Sequence, residues 1–278
     1  MLYASALSPD GKFLAVGGYQ VSTESQNYVI IIDIEKGVQV ATAIGHSDVI
    51  TSLAFSSSGV YLASGSQDGT VRIWRMESFP SLPYVTSLEI KVPVSSLSFN
   101  KKTQDLAVGS ESSDVLIYPL RGLEKGETKF TPKALHKHKG TLNKLTYSPD
   151  GSFLASCSFE NELIIWNADG TLVRSIDKLK HPITALAFSF DGKILAALDE
   201  TGAGMSYMIP TGTKLTDFPG HDNTVFSAVF SPSFTGNYTV ASAGGNNNEI
   251  ILWNPINGLT IKKIQGKGSP IQKLAFGE

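Results

Sequence analysis

The residues of this chain that could carry chemistry are concentrated in one stretch, 45–74, which reads GHSDVITSLAFSSSGVYLASGSQDGTVRIW. His46, Ser64 and Asp68 follow one another there, and Trp74 closes the stretch. Histidine, serine and carboxylate side chains together are the parts of a nucleophilic centre. The same residues could instead form a buried hydrogen-bonded network, because a buried indole N–H and a buried imidazole each need partners.

Other motifs of catalysis are absent from the sequence. It contains no GxSxG, HExxH or CxxC, and no Gly-rich loop followed by Lys-Ser/Thr. Three of the five histidines fall in one repeated position, which argues against a metal cluster, and Cys157 lies among small strand residues as an inert thiol would. We therefore expect no enzyme activity, no catalytic, cofactor-binding or metal-binding residues, and no cofactor.

Composition narrows the class of protein further. The chain has 278 residues, 41% of them apolar, a net charge of −2 and a pI near 6.2, so charge gives no general attraction to nucleic acid or membrane. A single cysteine favours a reducing compartment. The N-terminal residues do not read as a signal peptide, and no apolar run reaches membrane-spanning length. We expect a cytoplasmic protein.

The wider pattern is a repeat. One landmark, an aromatic or aliphatic residue before a small turn, recurs at intervals of 41 to 48 residues, at Leu7, Phe55, Phe99, Tyr147, Phe188, Phe230 and Phe276. A second landmark recurs in step with it, at Ile32, Trp74, Tyr118, Trp166, Tyr207 and Trp253. Two landmarks that drift together indicate one repeated unit with loop insertions.

Each unit predicts four short strands. The first alternates apolar and polar residues, and a turn such as SPDG (8–11, 148–151) leads to a second strand of small residues such as LASGS. A tight turn and a third strand such as VRIW follow, and then a looser fourth strand. Sheets of this kind bury their faces against each other when they are stacked radially.

The GH…W signature of 45–74, with SxDGxVxIW inside it, resembles the WD-repeat β-propeller family, and the likeness extends over essentially the whole chain. The resemblance implies an all-β propeller of four-stranded antiparallel blades. It also implies a structural tetrad of His46, Ser64, Asp68 and Trp74, with Ser66 as an alternative to Ser64. The turn style is similar to that of bacterial multi-domain WD-repeat proteins, in which the propeller accompanies a protease, kinase or nucleotide-binding module.

The other units keep parts of the tetrad, so we expect the blade of 45–74 to hold the one complete copy and to be the best fixed. The fourth has His138, Ser156 and Trp166, with Glu160 where the aspartate is expected. The sixth has His221, Ser242 and Trp253, with 246–248 (three asparagines) in the turn. The third and fifth have tyrosine for tryptophan and no aligned histidine, and His181 falls two residues off.

The count of units predicts six complete blades and the first strand of a seventh, 271–276, in a single domain over 1–278. We expect this domain to be a fragment of a larger protein, because that last strand has no partners in the chain. A six-bladed ring with a stray strand is the alternative.

Loop insertions are the expected sites of partner contact. On the face of the histidine-bearing loops they are 19–27, with Tyr19 and Glu24, and 244–248, with Asn246, Asn247 and Asn248. On the opposite face they are 76–88, 119–133 and 231–237.

We interpret the chain as a non-enzymatic scaffold that docks a protein or peptide partner on the propeller faces. One alternative is nucleic-acid or acidic-partner binding through the basic stretch 125–144. The absence of arginine there, and of interleaved aromatic residues, argues against it. Two further alternatives are an enzyme whose active site lies in the central channel and an accessory propeller fused to an effector domain.

Overall fold

The chain folds into six four-stranded antiparallel sheets. The computed structural model describes residues 2–18, 27–77, 79–232, 237–266 and 271–275, and these contain 24 strands and one 3-10 helix. Strands that follow one another in the sequence are hydrogen-bonded neighbours within each sheet. The all-β fold with six four-stranded blades, predicted from the repeat, is confirmed. Two compact units, Met1–Lys137 and His138–Glu278, contain three sheets each.

The first unit contains sheets 1 to 3. Sheet 1 consists of β1 (Leu2–Leu7), β2 (Phe13–Gly18), β3 (Asn27–Asp33) and β4 (Val38–His46). Sheet 2 consists of β5 (Ile50–Phe55), β6 (Tyr61–Ser66), β7 (Thr70–Arg75) and β8 (Tyr84–Glu89). Sheet 3 consists of β9 (Val94–Phe99), β10 (Asp105–Ser110), β11 (Asp114–Pro119) and β12 (Lys133–His136), with the 3-10 helix Leu120–Lys125 between the last two strands.

The second unit contains sheets 4 to 6. Sheet 4 consists of β13 (Leu142–Tyr147), β14 (Phe153–Ser158), β15 (Glu162–Asn167) and β16 (Leu172–Ile176). Sheet 5 consists of β17 (Ile183–Phe188), β18 (Ile194–Asp199), β19 (Ala203–Met208) and β20 (Thr213–Pro219). Sheet 6 consists of β21 (Val225–Phe230), β22 (Val240–Gly244), β23 (Glu249–Trp253) and β24 (Thr260–Gln265).

Small residues in the second strands let neighbouring sheets approach closely. Every residue of β6 is buried. A Cβ added to Gly65 would lie 2.5 Å from Cγ1 of Val94 in sheet 3, and one added to Gly17 would lie 2.9 Å from Cγ2 of Ile50 in sheet 2. Both distances are below ordinary van der Waals contact, so packing between sheets, not chemistry, selects the small side chains here.

Polar side chains join the first strands of neighbouring sheets. Within the first unit β1 lies beside β5 and β5 beside β9, and within the second β13 lies beside β17 and β17 beside β21. The Thr51 hydroxyl donates to the Val94 carbonyl (2.5 Å), and the Thr184 hydroxyl donates to the Val225 carbonyl (2.6 Å). The Asn143 amide donates to the Ile183 carbonyl at 2.7 Å from the corresponding position of sheet 4. This repeated contact was not part of the sequence prediction.

The predicted first strand of a seventh unit is not a strand in residues 271–275, and Phe276 lies outside the described residues. The Leu274 N–H nevertheless donates to the Ser227 hydroxyl of β21 at 3.0 Å. The Leu97 N–H of β9 donates to Ser52 of β5 at the same distance. Residues 271–275 therefore lie against sheet 6 as a first strand would. In the described part of the chain they have no hydrogen-bonded sheet neighbour, so they do not form a strand.

Candidate functional site

His46, Ser64, Asp68 and Trp74 form one hydrogen-bonded network in the first unit. The His46 Nε2 lies 2.7 Å from the Ser64 Oγ, and its Nδ1 lies 2.8 Å from the Asp68 Oδ2. The Trp74 indole N–H donates to the Ser64 Oγ at 2.8 Å. His46 comes from the end of β4 in sheet 1, whereas the other three belong to sheet 2, so the network ties the connection between two sheets to the second of them.

Ser64, not Ser66, is the serine of the network. The Ser66 hydroxyl donates to the Asp48 carbonyl at 3.0 Å and accepts from the Asp68 N–H at 3.1 Å, so it closes the turn beside the network. Ser64 is fully buried between the two rings. A buried hydroxyl that already accepts from an indole, in a site without an open face, is a structural partner and not a nucleophile.

Asp68 is held as a carboxylate. Burial by itself would raise the pKa of Asp68, but hydrogen bonds from His46, from Thr70 and from the Ser47 N–H outweigh it and lower the pKa. The carboxylate accepts from the His46 Nδ1 and so leaves Nε2 toward Ser64. The network therefore orients the loop that carries His46 and performs no reaction of its own.

Sheet 4 contains a second network, with a different acid from the one predicted. His138 lies 2.7 Å from the Ser156 Oγ, and the Trp166 N–H donates to the same oxygen at 2.9 Å. The acid is Glu162, whose Oε2 lies 3.3 Å from the His138 Nδ1, and not Glu160, which is exposed. Glu162 opens β15, where sheet 2 has Thr70, and its longer side chain reaches the histidine that a turn aspartate reaches in sheet 2. The expectation of a single complete network was therefore wrong.

Sheet 6 has the same residue types but a looser network. His221 lies 2.8 Å from the Ser242 Oγ, and its acid is Glu249 at 3.6 Å, which the sequence reading did not identify. The buried Trp253 N–H has no hydrogen-bond partner among the described residues, and the indole stacks on Phe218 with ring centroids 4.4 Å apart. Burial, followed by the charge of Lys263, lowers the pKa of His221 to about 4, so the imidazole is neutral at pH 7.

The loops predicted to contact a partner are only partly described. Tyr19 and Glu24 lie outside the described residues. Asn246 and Asn247 are exposed and are tied to the preceding loop: the Asn246 N–H and the Asn247 amide donate to Asp222, at 2.8 and 3.1 Å. Asn248 is half-buried, has a φ of +51° and accepts from the Gly266 N–H at 2.8 Å. Hydrogen bonds to the preceding loop and to Gly266 hold this loop in place.

The basic side chains of the stretch 125–144 do not form one continuous positively charged surface. The exposed His136 pairs with Asp114 at 2.8 Å, and the buried His138 belongs to the network of sheet 4. Lys139 pairs with Glu162 at 3.5 Å, and Lys144 lies half-buried on β13. Carboxylates of the chain thus neutralise part of this charge locally.

A cleft of about 450 Å³ lies in the first unit, at the end of the sheets opposite to the histidine-bearing loops. The insertion 119–133, flagged in the sequence, forms one wall: its 3-10 helix buries Leu120 and Leu123. Tyr61 and Phe99 complete the apolar floor, and the polar rim is formed by Lys102, Thr103, Gln104, Arg121 and Glu124. The Arg121 Nε donates to the Thr103 carbonyl at 2.9 Å, which ties the helix to the turn across the cleft.

The turn on the rim has an unusual backbone. Gln104 has a φ of +61°, a value that residues other than glycine rarely adopt, and its amide donates to the Ser57 hydroxyl of sheet 2. Such a conformation persists only where the surroundings fix it. The rim is therefore pre-formed, as binding clefts of this size commonly are.

Three further findings in the described residues concern metal binding, membrane insertion and the single thiol. No group of three or more histidine, cysteine, aspartate or glutamate side chains there is placed to hold a metal ion. None of the helices described is both long and apolar enough to cross a membrane. Cys157 is fully buried in β14, and burial raises the pKa of its thiol to about 12.

Six four-stranded sheets in the described residues, with histidine–serine contacts in sheets 2, 4 and 6, define an all-β repeat protein of the β-propeller class. The family model "WD domain, G-beta repeat" matches residues 37–75, 130–167 and 212–254, the ranges that contain Trp74, Trp166 and Trp253. The chain is similar to WD-repeat proteins over these three segments, which together are less than half of its length.

The chain is also similar to parts of several curated proteins. The chain is 28% identical over 166 residues to the "Target of rapamycin complex subunit wat1" of Schizosaccharomyces pombe (58% of this chain, 47% of the relative). It is 29% identical over 145 residues to the "Chromatin assembly factor 1 subunit FAS2 homolog" of Oryza sativa subsp. japonica (49% and 29%). It is 25% identical over 293 aligned residues to "Protein HIR1" of Cryptococcus neoformans var. neoformans (91% and 33%). The chain spans less than half of the length of each relative.

Proposed function

We propose that this chain is a non-enzymatic scaffold that binds a partner protein, and that it receives a peptide segment of that partner in the cleft formed by the insertion 119–133. The observation that carries the proposal is the cleft itself, with an apolar floor and a fixed polar rim. Two relatives that are named as subunits, one of a complex and one of an assembly factor, support the general role.

The occupant that fits is an extended segment with one apolar anchor side chain. Leu120, Leu123, Tyr61 and Phe99 give the floor, and a volume of about 450 Å³ suits one or two side chains better than a whole folded surface. Lys102 on the rim would steer and hold a carboxylate beside the anchor. A few anchors of this kind carry most of the binding free energy in protein interfaces.

Two adjacent lysines provide a matched test. Peptides selected by display against the folded chain would be measured by calorimetry against Lys102→Glu, which lines the cleft, and Lys101→Glu, which does not. We expect Lys102→Glu to weaken binding about fivefold or more and Lys101→Glu to leave it unchanged. If no selected peptide distinguishes the two variants, the cleft is not the docking site.

The compartment is part of the same proposal. A single buried cysteine cannot form an intramolecular disulfide, and a reducing, cytoplasmic environment suits such a chain. Microscopy of the full-length protein with a fluorescent tag would test it, and secretion of the protein would contradict it.

A further inference from the structure

The third strand of each sheet shows which face the next sheet covers. The residues one and three positions before the second landmark lie on this face. In sheet 2 they are Ile73 and Val71, and they pack in one cluster with Val94, Leu97 and Leu106 of sheet 3. The residues at these two positions are fully buried in sheets 1, 2 and 4: Val29, Ile31, Val71, Ile73, Leu163 and Ile165.

Sheet 6 leaves the same face partly uncovered. Ile250 and Leu252, at the equivalent positions of β23, are only half-buried. Ile264 of β24 pairs with Ile250 and is 42% exposed, whereas Leu88, at the same position of sheet 2, is 4% exposed. An apolar sheet face that is buried in the repeated units and exposed in one of them marks a surface for contact with another element.

Residues 271–275 indicate what kind of element fits this surface. They lie where the first strand of a next sheet lies, because the Leu274 N–H donates to Ser227 as the Leu97 N–H of sheet 3 donates to Ser52 of sheet 2. In the described part of the chain no second strand pairs with 271–275. Unpaired backbone N–H and C=O groups at such an edge are a template for strands of another chain.

The exposed Lys262 of β24 adds a requirement for charge. It stands where sheet 2 has Thr86, whose hydroxyl donates to the Thr128 carbonyl of sheet 3 at 2.7 Å. Sheet 4 has Arg174 at this position, and a Cβ added to Gly212 of sheet 5 would lie 2.6 Å from the Arg174 Cγ. The position therefore contacts the next sheet, and Lys262 favours an occupant with an acidic side chain. A second copy of this chain would offer a lysine on its own equivalent face.

We propose that this face of sheet 6, together with residues 271–275, is the docking site of a partner protein that supplies three antiparallel β-strands. One supplied strand pairs with 271–275, the apolar side of the three strands covers Ile250, Leu252 and Ile264, and an acidic side chain pairs with Lys262. Backbone hydrogen bonds give affinity in this mode of recognition, and side-chain contacts give specificity. The surface belongs to the second unit and the cleft to the first, so either proposal can fail without the other.

Three-stranded β-sheet miniproteins, selected by display against the folded chain, are the probe, and calorimetry measures their affinity. We expect Ile264→Asp to weaken binding about tenfold or more, because it places a charge in the apolar contact. Ile256→Asp is the matched control, since Ile256 is 45% exposed and lies in the loop between β23 and β24. It should retain the affinity, as should Lys102→Glu in the cleft, whereas Lys262→Glu should weaken binding about fivefold. Failure to select any miniprotein, or equal affinity for Ile264→Asp, overturns the proposal.

Hydrogen exchange in the unmodified protein gives a second readout. The backbone N–H groups of 271–275 should exchange rapidly in the free protein and about tenfold more slowly or less when a miniprotein binds, because strand pairing protects them. Rapid exchange in the complex contradicts the pairing. Slow exchange in the free protein would show that the protein covers this face itself, and a dimer in sedimentation that Ile264→Asp dissociates would show that a second copy does. Either result overturns the proposal.

Discussion

His46 shows how one side chain fixes a loop in this molecule. Its two ring nitrogens form hydrogen bonds with Ser64 and with Asp68, and the Trp74 N–H donates to the same serine oxygen. Every polar atom of this buried group has a partner, and removal of one member leaves the others unpaired. Buried networks of this kind cost more to break than single hydrogen bonds do.

We therefore expect His46→Ala to lower the free energy of unfolding by about 2–4 kcal/mol without a change of fold. The control is His136→Ala, which removes an exposed histidine whose bond to Asp114 is open to solvent, and we expect a loss below about 1 kcal/mol. Urea denaturation measures both, and circular dichroism checks that the fold is kept. Equal losses in the two variants would contradict the role of the network.

At the scale of the elements, the histidine networks of sheets 2 and 4 contain hydrogen bonds that the network of sheet 6 lacks. In sheets 2 and 4 the serine receives both the histidine and the indole, whereas in sheet 6 the Trp253 N–H is unpaired among the described residues. The buried His221 of sheet 6 is also held neutral, with Glu249 at 3.6 Å and with Asp222 and Lys263 acting on it as charges. The histidine contacts of sheet 6 therefore depend on pH.

The pH dependence has a definite sign. The pKa of His221 is about 4 in the folded protein against an ordinary value of 6.5, so below about pH 6.5 the unfolded chain binds the proton more readily. Stability contributed by this group is complete above about pH 6.5 and is lost as pH falls toward 4. The difference between 6.5 and about 4 corresponds to a loss of about 3 kcal/mol.

Thermal unfolding of the unmodified protein and of His221→Gln, over this pH range, measures the effect. The variant should have the smaller dependence on pH, because its side chain does not titrate. His181→Gln, which removes a histidine whose side chain is 44% exposed, should follow the unmodified protein. An unaltered slope in His221→Gln would show that other groups cause the acid loss of stability.

For the whole molecule, charge is the property that decides among partners. The net charge of −2 is nearly balanced, and His136 and Lys139 of the basic stretch already contact carboxylates of the chain. Counterion release, which supplies most of the affinity of proteins for nucleic acid, needs several free cations on one surface.

We expect no salt-dependent binding of duplex DNA or single-stranded RNA by this chain. Fluorescence anisotropy at about 50 mM and about 200 mM salt is the measurement, since true phosphate contacts would weaken binding steeply between the two. An affinity that falls by about a hundredfold over this range would instead indicate that the basic stretch 125–144 binds nucleic acid.

The resemblance to the WD-repeat family implied the network of His46, Asp68 and Trp74 and left Ser64 and Ser66 open as its serine. The sequence by itself determined the repeat and the four strands of each unit. These features depend on local patterns: alternation, turn residues, and two landmarks that keep step along the chain. The small residues of the second strands, which pack against the next sheet, are an equally local pattern.

Only the tertiary structure decided which acid completes each network and how the cleft of the first unit is formed. Glu162 and Glu249 replace the turn residues because a longer side chain at the start of the third strand reaches the same histidine nitrogen. The cleft exists because the insertion 119–133 folds back as a short helix. Such contacts are set by distances through space, which spacing along the chain does not encode.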